Sequence, residues 1–351
     1  MKNYHIYRLF NDKVSILINK KALFTILILL GIAAVTFVFS TGTGEIRISP
    51  LQVLSVFFGG GTDTDRLVIQ TFRLPRIIVS LMVGIGLAAA GAILQGIIRN
   101  PLASPDILGI TGGASVAVVG FLAFFSDESN ALTVSIHWMP VAAFAGATIV
   151  AFLVYFLAWK NGVSPIRLVL IGIGIYSLMK ALTTLMMLLG PIYQASQANI
   201  WITGTVYGSN WGHVAILVPW ILIFCIAAII LSRNMNILEL GDDIAIGAGS
   251  RVQRYRFLLL MVSTALIGGS VAFAGGIGFV GLMAPHMARR IVGSSYGALL
   301  PASALIGGIL VMAADLIGRT LFAPLEIPAG VFTASIGAPY FIYLLFKTRN
   351  A

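Results

Sequence analysis

The residues of this chain that could do chemistry lie at the ends of one uncharged run. Arg73 and Arg76 flank a Leu-Pro pair, and the uncharged residues 77–98 follow. A helix of 22 residues crosses the roughly 30 Å hydrocarbon layer at about 1.5 Å per residue. The pattern indicates a membrane helix with a basic docking mark at one end. The helix stops at Asn100-Pro101, because proline removes a backbone donor and restricts the preceding residue.

Motifs for other kinds of chemistry are absent from the sequence. No G-x-x-x-x-G-K-[ST] loop occurs, so the chain cannot hold ATP phosphates itself. No apolar run carries a row of carboxylates of the kind that a proton relay uses. The four histidines have no metal-ligand spacing, and nothing pairs a nucleophile with a base. We predict no catalytic residue and no metal site, and a pathway protein rather than an enzyme.

Composition identifies the broad class. The chain has 351 residues, of which 58% are hydrophobic and 10% are charged, whereas soluble domains carry about 25% charged residues. The long apolar runs predict an all-α integral membrane protein, because a β-barrel would show alternating segments of about 10 residues. The net charge of +10 does not indicate nucleic-acid binding, since the basic residues cluster in short segments beside apolar runs.

Ten apolar runs predict ten transmembrane helices in a cell-membrane protein. Most of the 22 Lys and Arg residues fall in segments that this count places inside, as the positive-inside rule expects. Both termini are therefore predicted to be cytoplasmic, with an N-terminal segment of about residues 1–21. The predicted spans are residues 22–39, 77–98, 107–125, 138–159, 166–189, 213–231, 257–273, 279–292, 298–317 and 328–346.

A polar cytoplasmic segment, about residues 236–254, is where energy could enter the protein. Leu240, Ile244 and Ala248 recur every four residues and would form one face of a short helix. Gly247 and Gly249 would end that helix. A short helix with an apolar stripe can insert into a groove of a partner protein, although it could also lie on lipid headgroups.

Five ordered motifs resemble the FecCD-type permeases, the membrane subunits of ABC importers for iron–siderophores, haem and vitamin B12. They are RLPR (73–76), QGIIRNPLASPDILG (95–109), LG-x3-A-x3-G (240–249), GFVGLMAPHMARR (278–290) and D-L-I-G-R-x6-E-I-P-A-G (315–330). The resemblance covers about residues 20–347 and implies a type II importer permease, a single domain of residues 1–351 with ten helices. One departure is Ala248, where the family usually has leucine.

The resemblance also assigns roles to residues. It implies that three arginines receive glutamates from the two lobes of a binding protein, namely Arg73, Arg76 and Arg319. It places four residues in a helix that contacts the ATPase: Leu240, Gly241, Ala245 and Gly249. It assigns gate and pathway positions to two turns, formed by Asn100 and Leu102 and by Ser164, Pro165 and Ile166.

The implied assembly has two permeases, identical or paralogous, and two cytoplasmic ATPases. An extracytoplasmic binding protein, a lipoprotein or a periplasmic protein, delivers the cargo. ATP is hydrolysed by the partner subunit, so this chain binds no cofactor directly. An iron(III)–siderophore is the expected cargo, with vitamin B12 or haem as the alternative. An ion-coupled secondary transporter, which would work without any ATPase, is the alternative from a different class.

Lys180 lies outside the family pattern. It follows Arg167 by 13 residues, about 20 Å along the helix and well inside the membrane. An unpaired ammonium facing lipid costs several kcal/mol. We hypothesise that Lys180 faces the pathway and favours an anionic cargo; snorkelling or an internal ion pair is the alternative.

Replacement of Gly249 by a bulky residue tests the coupling segment. The variant should still insert in the membrane, but the loaded binding protein should no longer stimulate ATP hydrolysis, because the helix would not fit its groove. The measurement is stimulated ATPase activity of the assembled transporter. Full stimulation of the variant would remove the segment from the mechanism.

Overall fold

The computed structural model describes residues 4–9, 14–44, 46–127, 132–190 and 192–349. These residues are helical except for loops and one antiparallel hairpin. The hairpin pairs β1 (Tyr4–Leu9) with β2 (Val14–Asn19), in a register that sets Tyr4 opposite Asn19. The prediction of an all-α membrane protein is confirmed, and the hairpin is an addition to it. Residues 1–3 and 10–13 of the predicted N-terminal segment lie outside the described residues.

Fourteen α-helices follow in the described part of the chain. A π-helical turn (Val68–Arg73) joins α3 to α4, and a 3-10 turn (Ile136–Trp138) precedes α6. The helices are α1 (Lys20–Gly42), α2 (Pro50–Phe57), α3 (Asp63–Leu67), α4 (Leu74–Ile98), α5 (Ile110–Phe124), α6 (Met139–Ala158), α7 (Pro165–Leu189), α8 (Ile192–Thr203), α9 (Trp211–Glu239), α10 (Asp242–Gly247), α11 (Val252–Ala274), α12 (Val280–Val292), α13 (Tyr296–Thr320) and α14 (Ala329–Arg349).

Local chemistry explains where several helices begin. Asn19, Ser164 and Asn210 precede α1, α7 and α9, and each side chain accepts hydrogen bonds from backbone N–H groups of the first turn. Proline occupies the first turn of α4, α6 and α7, where its missing N–H costs nothing. These signals are all readable in the sequence.

Helix α4, which starts in the RLPR motif, is the centre of the molecule. It packs against α9, α11, α12 and α13. Most of its residues are buried, including Val79, Val83 and Ile93. By contrast, α7 and α9 are largely exposed along their apolar lengths. The RLPR motif therefore begins the core helix, whereas α7 and α9 expose apolar surface.

Glycines allow two close crossings of α4. Gly84 lies against Gly307 of α13, and a Cβ on either residue would overlap the carbonyl oxygen of the other. Gly91 lies in the same way against the carbonyl oxygen of Gly281 in α12. Lipid tails are as apolar as the side chains, so the hydrophobic effect does not drive membrane helices together. Close backbone packing of this kind is one of the interactions that hold them together instead.

Seven helical stretches among the described residues are long and apolar enough to cross a membrane. They correspond to seven of the ten predicted spans and contain α1, α4, α6, α7, α9, α11 and α13. The predicted spans at 107–125 and 279–292 correspond to α5 and α12, which have only 15 and 13 residues. The span at 328–346 corresponds to α14. The count of ten therefore remains a prediction.

The two short helices continue non-helical segments that run inside the protein. Gly109, just before α5, lies against the backbone of Tyr176, about 16 Å along α7 from Pro165. Gly281 of α12 contacts Pro105 of the segment 99–109. Non-helical backbone at membrane depth is tolerated where protein or an aqueous cavity surrounds it. Residues 99–109 therefore pass between α7 and α12 before α5 begins.

The substitution Gly91→Ala tests the central packing. The added methyl group has to displace the backbone of α12 at Gly281, so we expect a loss of about 1–3 kcal/mol of stability. Gly31→Ala in α1 is the matched control, because its Cβ would meet no atom within 4 Å. Thermal unfolding in detergent measures both. Equal melting temperatures for the two variants would contradict the packing described here.

Candidate functional site

The predicted coupling segment, about residues 236–254, contains the end of α9, the short helix α10 and the start of α11, and it exposes several apolar side chains. α10 is preceded by Gly241 and followed by Gly249, which adopt φ angles of 115° and 78°. Leu240, Ile244 and Ile246 are 62%, 59% and 61% exposed. Ala248 is also exposed, whereas Ala245 is fully buried. The segment thus presents apolar side chains outward, and Ala245 packs it onto the rest of the protein.

Gly241 and Gly249 both have positive φ angles, and the space that a side chain would enter at either of them is open. An ideal Cβ at either position would meet no atom within 4 Å. The positive φ angles explain why glycine stands there, because a side chain is strained in that conformation. A bulky residue at Gly249 would therefore project from the same surface as the exposed apolar side chains.

Asp242, the first residue of α10, holds two arginines from distant parts of the chain. Its Oδ1 atom accepts a hydrogen bond from Nη2 of Arg256 at 2.9 Å and another from Nη2 of Arg99. The Arg256 side chain is 2% exposed and that of Asp242 is 36% exposed. Burial and the nearby Arg256 charge lower the pKa of Arg99. One carboxylate therefore compensates two guanidiniums that repel each other.

Each of the two arginines is attached to one of the two predicted gate turns, Arg99 by sequence and Arg256 by a hydrogen bond. Arg99 directly precedes Asn100, and its Nε atom donates to the carbonyl oxygen of Leu238 at 2.9 Å. Arg256 donates through Nη1 to the carbonyl oxygen of Val163, next to Ser164. The backbone N–H of Val163 also donates to Oε1 of Gln253 at 2.9 Å. The structure thus connects the predicted coupling segment to both gate turns through Asp242.

Each predicted gate turn contains a hydrogen bond between residues two or three apart in the sequence. The Oδ1 atom of Asn100 accepts the N–H of Leu102 at 2.9 Å. The hydroxyl of Ser164 accepts the N–H of Arg167 at 3.3 Å, and Pro165 starts α7. Ile166 is strongly exposed. These turns are therefore shaped by their own side chains and attached to the coupling segment by Arg99 and Arg256.

A second ion pair fixes the end of α9. Arg289 of α12 donates through Nη1 to Glu239 at 2.8 Å, and through Nη2 to the hydroxyl of Tyr296 at 3.4 Å. The N–H of Tyr296 donates to Asn236 at 2.9 Å. The helix that leads into the coupling segment is therefore tied to α12 and α13.

The three arginines predicted to receive a binding protein lie together at the other end of the molecule. Arg73, Arg76 and Arg319 line one cavity of about 280 Å³. Arg73 donates to the carbonyl oxygens of Thr41, Gly42 and Ile46, and Arg319 donates to those of Ser40 and Thr43.

Arg76 has carboxylate partners within the chain. It donates to Asp315 at 2.8 Å and to Glu326 at 2.9 Å. Asp315 and Arg319 are four residues apart on α13 and approach to 3.7 Å, but Arg76 is the nearer partner of Asp315. All three arginines therefore have hydrogen-bond partners within the chain, and Glu326 is the more exposed of the two acids on Arg76.

Lys180 lines a cavity of about 570 Å³ between α5, α7 and α8. Its ammonium makes no ion pair with any described side chain. Asp106, which the sequence reading missed, lines the same cavity, and its Oδ1 atom accepts the hydroxyl of Thr111 at 3.0 Å. The sequence did contain a signal for this residue, because Asp106 is an acid that directly follows Pro105 in an otherwise uncharged stretch. Polar lining comes also from Ser115, Thr183, Thr184 and Asn199.

Comparisons with known proteins agree with this arrangement. Residues 27–347 match the model of the FecCD transport family. The chain is 62% identical over 332 residues to the Probable siderophore transport system permease protein YfhA of Bacillus subtilis (strain 168), covering 95% of this chain and 97% of the relative. It is 46% identical over 316 residues to the Iron(3+)-hydroxamate import system permease protein FhuG of the same organism, covering 90% and 94%.

A solved structure shares the fold. It is an inward-facing conformation of a transporter assigned to the metal-chelate type of ABC transporters, with a TM-score of 0.82 and 30% identity. The match covers 92% of this chain and 98% of that one. The family consists of membrane subunits whose ATPase is a separate protein. The chain therefore belongs to the FecCD transport family, and it is a permease subunit of an ATP-binding-cassette transporter without an ATP site of its own.

Proposed function

We propose that this permease moves an iron(III)–siderophore across the cytoplasmic membrane, drawing energy from a separate ATPase. The observation that carries the mechanism is the Asp242 cluster, which links an exposed apolar helix to both gate turns. The cargo class is supported by relatives whose systems handle siderophores, ferric hydroxamates and ferric citrate.

The ATPase would bind the outer surface of α10. Leu240, Ile244 and Ile246 together form a small apolar patch that a groove in a cytoplasmic partner would cover. Movement of α10 would carry Asp242 with it. Because Arg99 and Arg256 are bound to that carboxylate, the displacement would reach the turns at Asn100 and Ser164 together.

A second permease, identical or paralogous, would cover the exposed side of α7. The cavity that contains Lys180 opens on that side, and α8 lies beside it. The cargo pathway would run between the two copies. Both termini would be cytoplasmic, which sets the arginine cluster on the outer side. A binding protein would dock there by exchanging one of its carboxylates for Glu326 on Arg76.

Lys180 would attract an anionic chelate in the pathway. Its ammonium lines the cavity that Asp106 shares, and most of the remaining polar lining is hydroxyl or amide. A neutral chelate would gain less from it than a chelate with free carboxylates. The cavity therefore supports an anionic ferric chelate as cargo.

Uptake into vesicles tests this function. With its ATPase and binding protein, the chain should import a ferric citrate-type chelate in an ATP-dependent manner. Lys180→Met should reduce that uptake roughly fivefold, equivalent to about 1 kcal/mol, and should reduce uptake of a neutral ferric hydroxamate less. Lys160→Met is the control, because Lys160 lies in the α6–α7 turn and does not line the cavity.

Two results would contradict the proposed function, and a third would contradict only the role of Lys180. Uptake without any ATPase would point to the ion-coupled carrier. Uptake of haem or cobalamin, with no uptake of any ferric chelate, would change the cargo class. An equal decrease for both ferric chelates in Lys180→Met would remove Lys180 from cargo selection while leaving the transport function in place.

The substitution Asp242→Asn tests the coupling cluster. The neutral side chain leaves the buried Arg256 and the nearby Arg99 without a compensating charge, at a cost of about 1–3 kcal/mol. We expect membrane insertion to persist and cargo-stimulated ATP hydrolysis to be lost. Stimulated and basal ATPase rates of the assembled transporter are the measurements.

Asp243→Asn is the matched control for Asp242→Asn. Asp243 is the neighbouring acid on α10 and is exposed; its charge acts on Arg99, where it raises the pKa, but it does not bind Arg256. Its variant should keep stimulated hydrolysis near the wild-type rate. Equal behaviour of the two variants would show that the shared carboxylate is not the connection.

A further inference from the structure

A groove on the membrane-facing flank is separate from the pathway and the coupling segment. It lies between α6 and α9 above α11, and both helices pack against α11. Its volume is about 460 Å³, within the range of roughly 300–1,000 Å³ that is usual for ligand sites. Val141 of α6 and Ile216 of α9 line it and remain exposed.

The inner end of the groove is closed by aromatic side chains. Phe144 and Trp220 meet edge to face, with ring centroids 5.2 Å apart. Trp220 is fixed because its Nε1 donates to the carbonyl oxygen of Ala265 at 2.8 Å. Gly269 forms part of the floor, and a Cβ there would meet the Trp220 ring. The closed end is therefore apolar and rigid.

The open end is polar and lies on the same side as the arginine cluster. Trp211, at the start of α9, donates through Nε1 to the carbonyl oxygen of Gln70 at 2.8 Å. The distance from Trp211 to Trp220 along α9 is about 14 Å, half of the roughly 30 Å hydrocarbon thickness. The groove thus has the depth of one lipid leaflet, with its mouth near the interface.

The mouth contains a donor without an acceptor. Asn210 Oδ1 accepts the backbone N–H of His213 at 3.1 Å, so the amide nitrogen of Asn210 faces Nε2 of His213 at 3.4 Å. The amide nitrogen can only donate, which makes Nε2 the acceptor and places the imidazole proton on Nδ1. Nδ1 is buried, so a molecule in the groove does not reach it. Asn210 is exposed, and the second N–H of its amide is open to an acceptor at the mouth.

The surroundings identify what could cover the groove. Its walls belong to α6 and α9, whose exposed apolar residues, such as Ile149 and Ile223, make them the flank that meets hydrocarbon. We propose that the groove binds one acyl chain of a phospholipid in this leaflet, and that an oxygen of the lipid accepts the second amide N–H of Asn210 at the mouth. The apolar wall, the leaflet depth and the polar mouth match the three parts of such a molecule.

Native mass spectrometry of the full-length chain, purified with its associated subunits, tests the proposal. Bilayers of phosphatidylethanolamine and phosphatidylglycerol supply the probe before detergent extraction. The wild-type chain should retain phospholipid that Ile216→Trp loses, because the indole fills the groove. Ile223→Trp is the matched control: it lies two turns further along α9, is 60% exposed and does not line the groove, so it should retain the lipid.

His213→Phe separates the polar contact from the apolar one. The ring keeps its volume but loses Nε2, which orients the Asn210 amide, so retention should weaken roughly tenfold, the equivalent of one hydrogen bond of about 1.4 kcal/mol. Lipid retained equally by wild type, Ile216→Trp and His213→Phe would overturn the proposal. So would a membrane protein that occupies the groove in the purified complex and leaves when Ile216 is replaced.

Discussion

The end of this permease that carries α10 depends on one carboxylate that neutralises two guanidiniums. Arg256 is almost fully buried, and a buried charge without a partner costs several kcal/mol. Asp242 supplies that partner and, at the same time, binds Arg99. The short helix α10 therefore cannot shift without disturbing the turns beside Asn100 and Val163. This constraint gives a six-residue surface helix a mechanical connection to two distant loops.

The centre of the molecule is tightly packed, so it would stay in place if α10 shifted. α4 is surrounded by four helices and meets α12 and α13 at glycines, where the backbones touch. Sliding at these contacts is prevented by backbone atoms rather than by adaptable side chains. The peripheral segments differ: residues 99–109 are non-helical, and α7 exposes much of its length. Rigid packing is therefore concentrated at the centre, and irregular backbone lies beside the cavity.

At the opposite end, the arginine cluster is satisfied largely by the chain itself. Arg73 and Arg319 bind backbone carbonyl groups near the end of α1, which fixes α1 to α4 and α13. Arg76 joins α4 to α13 and to the segment before α14 through Asp315 and Glu326. The cluster is thus structural first, and Arg76 with its more exposed partner Glu326 is where a docking protein could exchange carboxylates.

The sequence by itself determined the membrane class, the positions of most spans and the turns. These depend on local properties: runs of apolar residues, caps such as Ser164, and prolines at helix starts. It predicted exposed apolar residues in the coupling segment but not their arrangement: Leu240 caps α9, Ile244 lies in α10 and Ala248 follows α10, so the three do not share one helix. The tertiary structure decided which charges pair. Asp242 meets Arg99 across 143 positions of sequence, and Asp106 reaches the cavity of Lys180. No local period encodes such contacts, because they depend on how the helices pack around α4.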